Sequence, residues 1–232
     1  MVFGGLQKTS LIDFPKKISS VLFVSGCNFD CPYCHNPQLV NGGLEAACLT
    51  DEKNVFDFLA RRREYLNGVV ISGGEPTLQK DLAALCEKIK RMGYAIKLDT
   101  NGSRPDVIES LIRQGLVDYI AMDIKTDPFS YAPLIRKQHN PEDILASISI
   151  IMASALDYEF RTTCVKPLVD VSIIIRISRF IQDAKLYALQ QFHNTRVLHP
   201  EYYDENTNIY TNDEITALQS VAQPWVQSCI VR

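Results

Sequence analysis

The chain has 232 residues, 46% of them hydrophobic and 22% charged, with a net charge of −3. That composition supports a substantial core and an ordinary globular fold. It carries no basic block, no interleaving of aromatic and basic residues, and no apolar run near the ~20 residues of a membrane span, which sets aside nucleic-acid binding and membrane insertion as its task.

In chain order, residues 1–17 contain Gly4, Gly5, Lys8, Lys16 and Lys17 and predict an irregular lead-in or short hairpin. Ile18 to Val24 is apolar and β-branched, a buried strand, and Cys27, Cys31 and Cys34 follow it directly. Asn41-Gly42-Gly43 marks a turn. Thr50 is the expected cap of a helix from Asp51 to about Leu66, and Gly68–Ser72 is the next strand, ending in Gly73-Gly74-Glu75-Pro76. Leu82, Leu85, Cys86, Ile89 and Met92 recur at helical spacing over Lys80–Met92, with Gly93 as the stop. Tyr94 to Asp99 is a third strand. Ser103 is the expected cap of a helix beginning near Pro105, with Gly115 ending it, and Leu116 to Ile124 is a fourth strand.

A Pro-containing loop over 126–139 precedes a helix from Asn140-Pro141 to about Ala155. Tyr158 to Val165 is a fifth strand. Residues 169–182 read as a helix, with Ile173-Ile174-Ile175 keeping strand as a competitor, and Leu186 to Phe192 is a sixth strand. A polar loop over 194–212, a helix over Asp213–Gln223 and a short tail complete the pattern. Strand and helix alternate about six times, which calls for a parallel sheet with right-handed crossovers. A full eightfold barrel takes about 250 residues. The expectation is therefore an α/β chain folded as an open partial (β/α)6 barrel of TIM type, one domain over 1–232, with 1–17 as lead-in and 194–232 as a C-terminal loop, helix and tail.

Five strand ends carry polar groups: the cysteine loop, Gly73-Gly74-Glu75, Asp99-Thr100-Asn101, Asp123-Ile124-Lys125 and Phe192-His193-Asn194. Ligands of parallel α/β folds bind at the carboxyl ends of strands, so these groups should share one rim. Period-two alternation puts Lys97 with Asp99, Asp123 with Lys125, and Arg161 with Thr163 on common faces, which should point inward. Gly73 and Gly74 would let backbone approach a ligand, or simply make a tight turn.

The cysteines are spaced C-x3-C-x2-C. Thiolates are soft ligands suited to an iron–sulfur centre or to zinc. A [4Fe–4S] cluster takes one cysteine per iron, so three would leave one iron open. Zinc would need a fourth ligand, and the nearest, His35, adjoins Cys34 in poor geometry for one tetrahedral ion. Cys48, Cys86, Cys164 and Cys229 are scattered. They form no pair that would hold a second cluster, and the odd total of seven fits a reducing cytoplasm rather than a disulfide framework.

The cysteine spacing resembles that of the radical S-adenosylmethionine (SAM) enzymes. Gly26, Pro32-Tyr33 and His35-Asn36-Pro37 around it are similar to the glycyl-radical-enzyme activases. Gly5-Leu6-Gln7-Lys8-Thr9-Ser10-Leu11-Ile12-Asp13-Phe14-Pro15 is similar to the opening of anaerobic ribonucleoside-triphosphate reductase activating proteins, with Lys16 standing where they usually have glycine.

The resemblance implies cluster ligation by Cys27, Cys31 and Cys34, and SAM contacts from Asn36, Gly73, Gly74, Glu75, Asp99, Asp123, Lys125, Arg161 and His193, with His199 competing for the last role. It implies a flavodoxin- or ferredoxin-like electron donor, reductive cleavage of SAM to a 5′-deoxyadenosyl radical, and a glycyl radical installed on a partner, anaerobic ribonucleotide reductase first among candidates. A small-molecule radical SAM enzyme resembling 7-carboxy-7-deazaguanine synthase and a non-enzymatic metal module are the alternatives.

Overall fold

The computed structural model describes residues 2–40, 50–131, 140–193, 197–202 and 208–232. Six strands, each parallel to the next, form the body of one sheet: β2 (Ser19–Val24), β4 (Gly68–Gly73), β5 (Ala95–Thr100), β6 (Tyr119–Asp123), β7 (Asp157–Cys164) and β8 (Tyr187–Gln191). They pair in chain order, each parallel to the next. A sheet whose order never reverses has no switch point; it curls as a TIM barrel does. This is the expected open partial barrel.

Two additions extend it. The lead-in is strand β1 (Val2–Ser10), antiparallel to β2 and carrying the two-residue β3 (Thr50–Asp51) on its outer side. The short tail is β9 (Cys229–Val231), parallel to β8.

The helices are α1 (Pro37–Val40), α2 (Glu52–Arg61), α3 (Leu82–Arg91), α4 (Pro105–Arg113), α5 (Pro141–Ala153), α6 (Val171–Phe180) and α7 (Asn212–Ala222). Several boundaries differ from the sequence reading, each for a local reason. Asp51, not Thr50, caps α2: its Oδ1 accepts from the Asn54 N–H at 2.7 Å. That helix ends at Arg61, and Leu66 is buried beyond it in a turn closed by its N–H to Arg62 O. Ser103 does not cap α4; its hydroxyl accepts from Asn28 Nδ2 at 2.8 Å instead. The competition over 169–182 goes to helix because Asp170 caps it, accepting from the Ile173 N–H at 2.8 Å. Thr211 and Glu214 form a capping box that starts α7. The expected turn at Asn41-Gly42-Gly43, most of the loop over 126–139, and Cys48 lie outside the described residues.

Alternation along the strands sorts two layers. Leu22, Ile71, Ile96, Met122, Phe160 and Leu189 face the helices in one large buried cluster. Val21, Val70, Tyr119 and Ala121 belong to a second, small cluster with Phe14, on the opposite face of the strands. That inner face carries little apolar material and most of the buried charge, and it leads to the site.

Candidate functional site

A cavity of about 270 Å³ opens at the carboxyl ends of the parallel strands. Cys27, Cys31, Cys34 and Asn36 line it from the loop after β2, Ser72 to Glu75 from β4 and its loop, and Asp99 to Asn101 from β5. Asp123, Lys125, Arg161, Thr163 and Gln190 complete it from β6, β7 and β8. Eleven of the twelve residues singled out from the sequence therefore meet in one place. The exception is His193.

The cysteine loop is fixed from several sides. Gly26 N–H and Cys27 N–H donate to Leu39 O and Val40 O at 2.7 and 3.1 Å, and Cys34 N–H to Cys31 O at 3.0 Å. Asn28 bridges to the loop after β5, donating to Ser103 and accepting from Asn101 Nδ2 at 2.9 Å. Cys31 is buried, and Cys27 and Cys34 are half-buried. Burial pushes the thiol of Cys27 up to about 11, that of Cys31 up to about 12, and that of Cys34 upward as well. A bound metal centre must supply the positive charge that makes them thiolates.

Among the described residues, no three His, Cys, Asp or Glu side chains stand close enough to share a single metal ion. A tetrahedral zinc needs its ligands in one shell, whereas a cubane cluster takes one thiolate per iron and keeps them apart. Three soft donors on one cavity wall fit the cluster, one thiolate per iron. Cys86, Cys164 and Cys229 are buried in the helix-facing layer.

Gly73 and Gly74 line the cavity, but loop packing is what demands them. A Cβ on Gly74 would lie 2.1 Å from Gly26 O, and one on Gly73 2.5 Å from the Val24 backbone, at a φ of +112°. The glycines press the loop after β4 against the cysteine loop, which no side chain permits. Gly74 N–H donates to Val24 O at 2.9 Å and Glu75 N–H to Gly26 O at 2.8 Å. The Glu75 carboxylate is buried and engaged within the protein. It accepts from Thr77 N–H (3.0 Å), Thr77 Oγ1 (2.6 Å), Thr100 Oγ1 (2.8 Å) and Asn101 N–H (2.7 Å).

The charges on the inner face form one connected array. Lys97 Nζ lies 2.6 Å from Asp99 Oδ1, and Arg161 Nη1 is 3.5 Å from that same oxygen. Arg161 Nε donates to Asp123 Oδ1 at 2.6 Å and Lys125 Nζ to Asp123 Oδ2 at 3.0 Å. Deeper in, Arg232 grips the buried Glu159 in a bidentate pair at 3.1 and 2.7 Å. Burial opposes ionisation of Asp123, but Arg161 and Lys125 outweigh it and hold the carboxyl far below the usual range. Asp99 is held low in the same way, with Arg161 and Lys97 overcoming burial. Among the described residues, four cations face three anions in this array, an excess of positive charge that suits an anionic ligand group, and Lys125 and Arg161 are the cations of the array that line the cavity. Sequence reasoning paired Lys97 with Asp99 and Asp123 with Lys125 but missed Glu159 and Arg232. The alternation Glu159, Arg161, Thr163 on one strand could have flagged the first.

His193 does not reach the cavity. Its side chain is exposed, and its backbone carbonyl faces His35 Nε2 at 2.9 Å. It lies past the end of β8, so the strand's alternation no longer sets its direction. His199 touches the outside of the cysteine loop: its N–H donates to Pro32 O at 3.1 Å and its Nε2 is 3.4 Å from Asp30.

The sequence profile of the Radical SAM superfamily matches residues 21–170. A protein of Methanocaldococcus jannaschii assigned by name as a glycyl-radical enzyme activating enzyme is 34% identical over 99% of this chain and 95% of its own length. The pyruvate formate-lyase-activating enzyme of Listeria monocytogenes is 32% identical over 137 residues, 53% of this chain and 54% of its own. Among solved structures, Streptococcus suis SuiB bound to its precursor peptide SuiA superposes with a TM-score of 0.69 at 14% identity, covering 91% of this chain and 48% of that one. The last comparison shows the fold. Among the described residues, no helix is long and apolar enough to cross a membrane. The profile and the archaeal relative, together with the three thiols on the cavity wall, place the chain in the radical SAM superfamily, as an enzyme of the glycyl-radical-activating type that uses a [4Fe–4S] cluster and S-adenosylmethionine.

Proposed function

We propose that this enzyme installs a glycyl radical on anaerobic ribonucleoside-triphosphate reductase, drawing its electron from a flavodoxin- or ferredoxin-like donor. The observation that carries the reading is the joint lining of one cavity by Cys27, Cys31 and Cys34 on one side and Lys125 and Arg161 on the other. The choice of partner rests on the opening segment Gly5 to Pro15, which resembles that of the reductase activating proteins.

In this reading Cys27, Cys31 and Cys34 would hold the cluster, and SAM would bind beside it in the same cavity. When bound, cluster and SAM supply one-electron cleavage of the sulfonium and hydrogen-atom abstraction. The chain's own residues bind and orient. Lys125, aligned by Asp123, takes the carboxylate of SAM, with Arg161 fixing Asp123 from the far side. Asn36, Gly73 and Gly74 line the same cavity and would bound the same end of the ligand. Asp99 contributes through the array, and Glu75 by holding the two rim loops together.

The test is a reconstitution under anaerobic conditions with SAM, reductant and the reductase from the same cells. A glycyl-radical doublet in the EPR spectrum of the reductase is expected. SAM cleavage with no protein radical would overturn the assignment of partner.

A further inference from the structure

Arg232 directly follows β9, and its backbone is held in the ladder with β8. Its N–H donates to Leu189 O at 2.9 Å, and its O accepts from Gln191 N–H at 2.7 Å. The side chain reaches past β8 to Glu159 of β7, donating from Nη1 to Oε1 at 3.1 Å and from Nη2 to Oε2 at 2.7 Å. On the strand between them, the residue in register with Arg161 is Ala188, which is small and fully buried.

Both oxygens of Glu159 are thus occupied, and its side chain is only 1% exposed. A buried carboxylate needs such a cation, and losing the partner leaves a charge that attracts any other within reach. Among the described residues, the other cation near it is Arg161, whose Nη1 lies 4.0 Å from Glu159 Oε1. That is too long for a hydrogen bond. Arg161 commits its Nε to Asp123 Oδ1 instead, at 2.6 Å, and Asp123 Oδ2 accepts from Lys125 Nζ at 3.0 Å. Arg161 therefore stands between two carboxylates, and Arg232 decides which of them it serves.

We infer that Arg232 is a positioning residue for the cofactor: by filling Glu159 it holds Arg161 on Asp123, and so keeps Lys125 directed to its ligand. It acts from outside the cavity, whose lining includes Arg161, Asp123 and Lys125 but not Arg232. Without it, the guanidinium of Arg161 turns toward Glu159, Asp123 is left to Lys125 alone, and the lysine is drawn off the ligand. The inference rests on the reading in which Lys125 takes the carboxylate of SAM.

The test measures SAM binding by anaerobic equilibrium dialysis on the reconstituted full-length protein, with iron content and urea unfolding recorded for each variant. Arg232→Met should raise the Kd for SAM about tenfold, the worth of one charge-assisted hydrogen bond, at wild-type iron content. Adding Glu159→Gln removes the carboxylate that attracts Arg161, so the double variant should bind SAM within about twofold of wild type. Arg232→Lys keeps a cation at Glu159 but cannot fill both oxygens. It should raise the Kd about threefold, and it decides the matter if Arg232→Met does not fold.

A loss of stability with the Kd unaltered would overturn the inference and leave the pair a purely structural one. A raised Kd that Glu159→Gln does not repair would also overturn it, as would a fall in iron content that accounts for the lost binding. Lys125→Met separates the two levels. Weakened SAM binding there, with wild-type binding in the Arg232 variants, sinks this inference alone. Unaltered binding in Lys125→Met overturns the assignment of Lys125 and this inference with it.

Discussion

The buried carboxylate of Glu75 accepts a hydrogen bond from the backbone N–H of Asn101 at 2.7 Å, joining the loop after β4 to the loop after β5. Asn101 in turn reaches Asn28 in the cysteine loop. Three successive strand ends are thus one connected structure, and Glu75 is its centre. Glu75→Ala would strand the N–H groups of Thr77 and Asn101 in a buried setting. The expected cost is about 2–4 kcal/mol, measured by urea unfolding of the metal-free protein, with weakened cluster retention following from the loosened loops.

The ligand assignment predicts a sharp contrast among cysteines. Cys27→Ala, Cys31→Ala and Cys34→Ala should each abolish stable cluster assembly. Cys86→Ala, in the helix-facing core, should leave iron and sulfide content at the wild-type level. A full cluster in Cys31→Ala would contradict the assignment.

Asp123 gives a pH dependence with a defined sign. Its carboxyl is held below the unfolded value of about 3.9 because Arg161 and Lys125 outweigh the cost of burial. A depressed carboxyl stabilises the fold above the unfolded pKa, and that contribution is lost as pH falls below about 4. Asp123→Asn removes it and leaves Arg161 without its closest partner, so at pH 7 the metal-free variant should be less stable by about 3 kcal/mol. The gap should narrow as pH is lowered from about 4 toward 2. Paired denaturation curves across that range check both statements.

Lys16 stands where the resembled activating proteins usually have glycine, and its φ of 62° lies in the left-handed region. A side chain there is strained, and glycine is not. Lys16→Gly should therefore stabilise the protein by about 0.5–1 kcal/mol, after allowing for the greater freedom of glycine in the unfolded chain. Thermal unfolding measures it.

The six parallel strands were legible because each is a run of apolar residues beside a helical pattern, and because their ends carry the chemistry. Lys97, Asp99, Asp123, Lys125 and Arg161 could be placed inward since strand alternation leaves charge no place among the helices. What stayed hidden depends on neighbours distant in sequence. β1 is a strand because β2 offers an antiparallel edge, despite Gly4, Gly5 and Lys8. β9 is only three residues long and exists because β8 was left unpaired on that side. Gly73-Gly74 looked like a place for a ligand to approach, and the actual demand comes from Gly26 and Val24. His193 matched a motif, but a motif does not fix the direction of a side chain beyond the end of a strand.

The most direct measurement is the EPR spectrum of anaerobically reconstituted, dithionite-reduced protein, with and without SAM. The account predicts a [4Fe–4S]⁺ signal that changes on adding SAM, because one iron lacks a protein ligand. A protein that binds zinc and takes up no iron, or a cluster signal that SAM leaves unaltered, would contradict it.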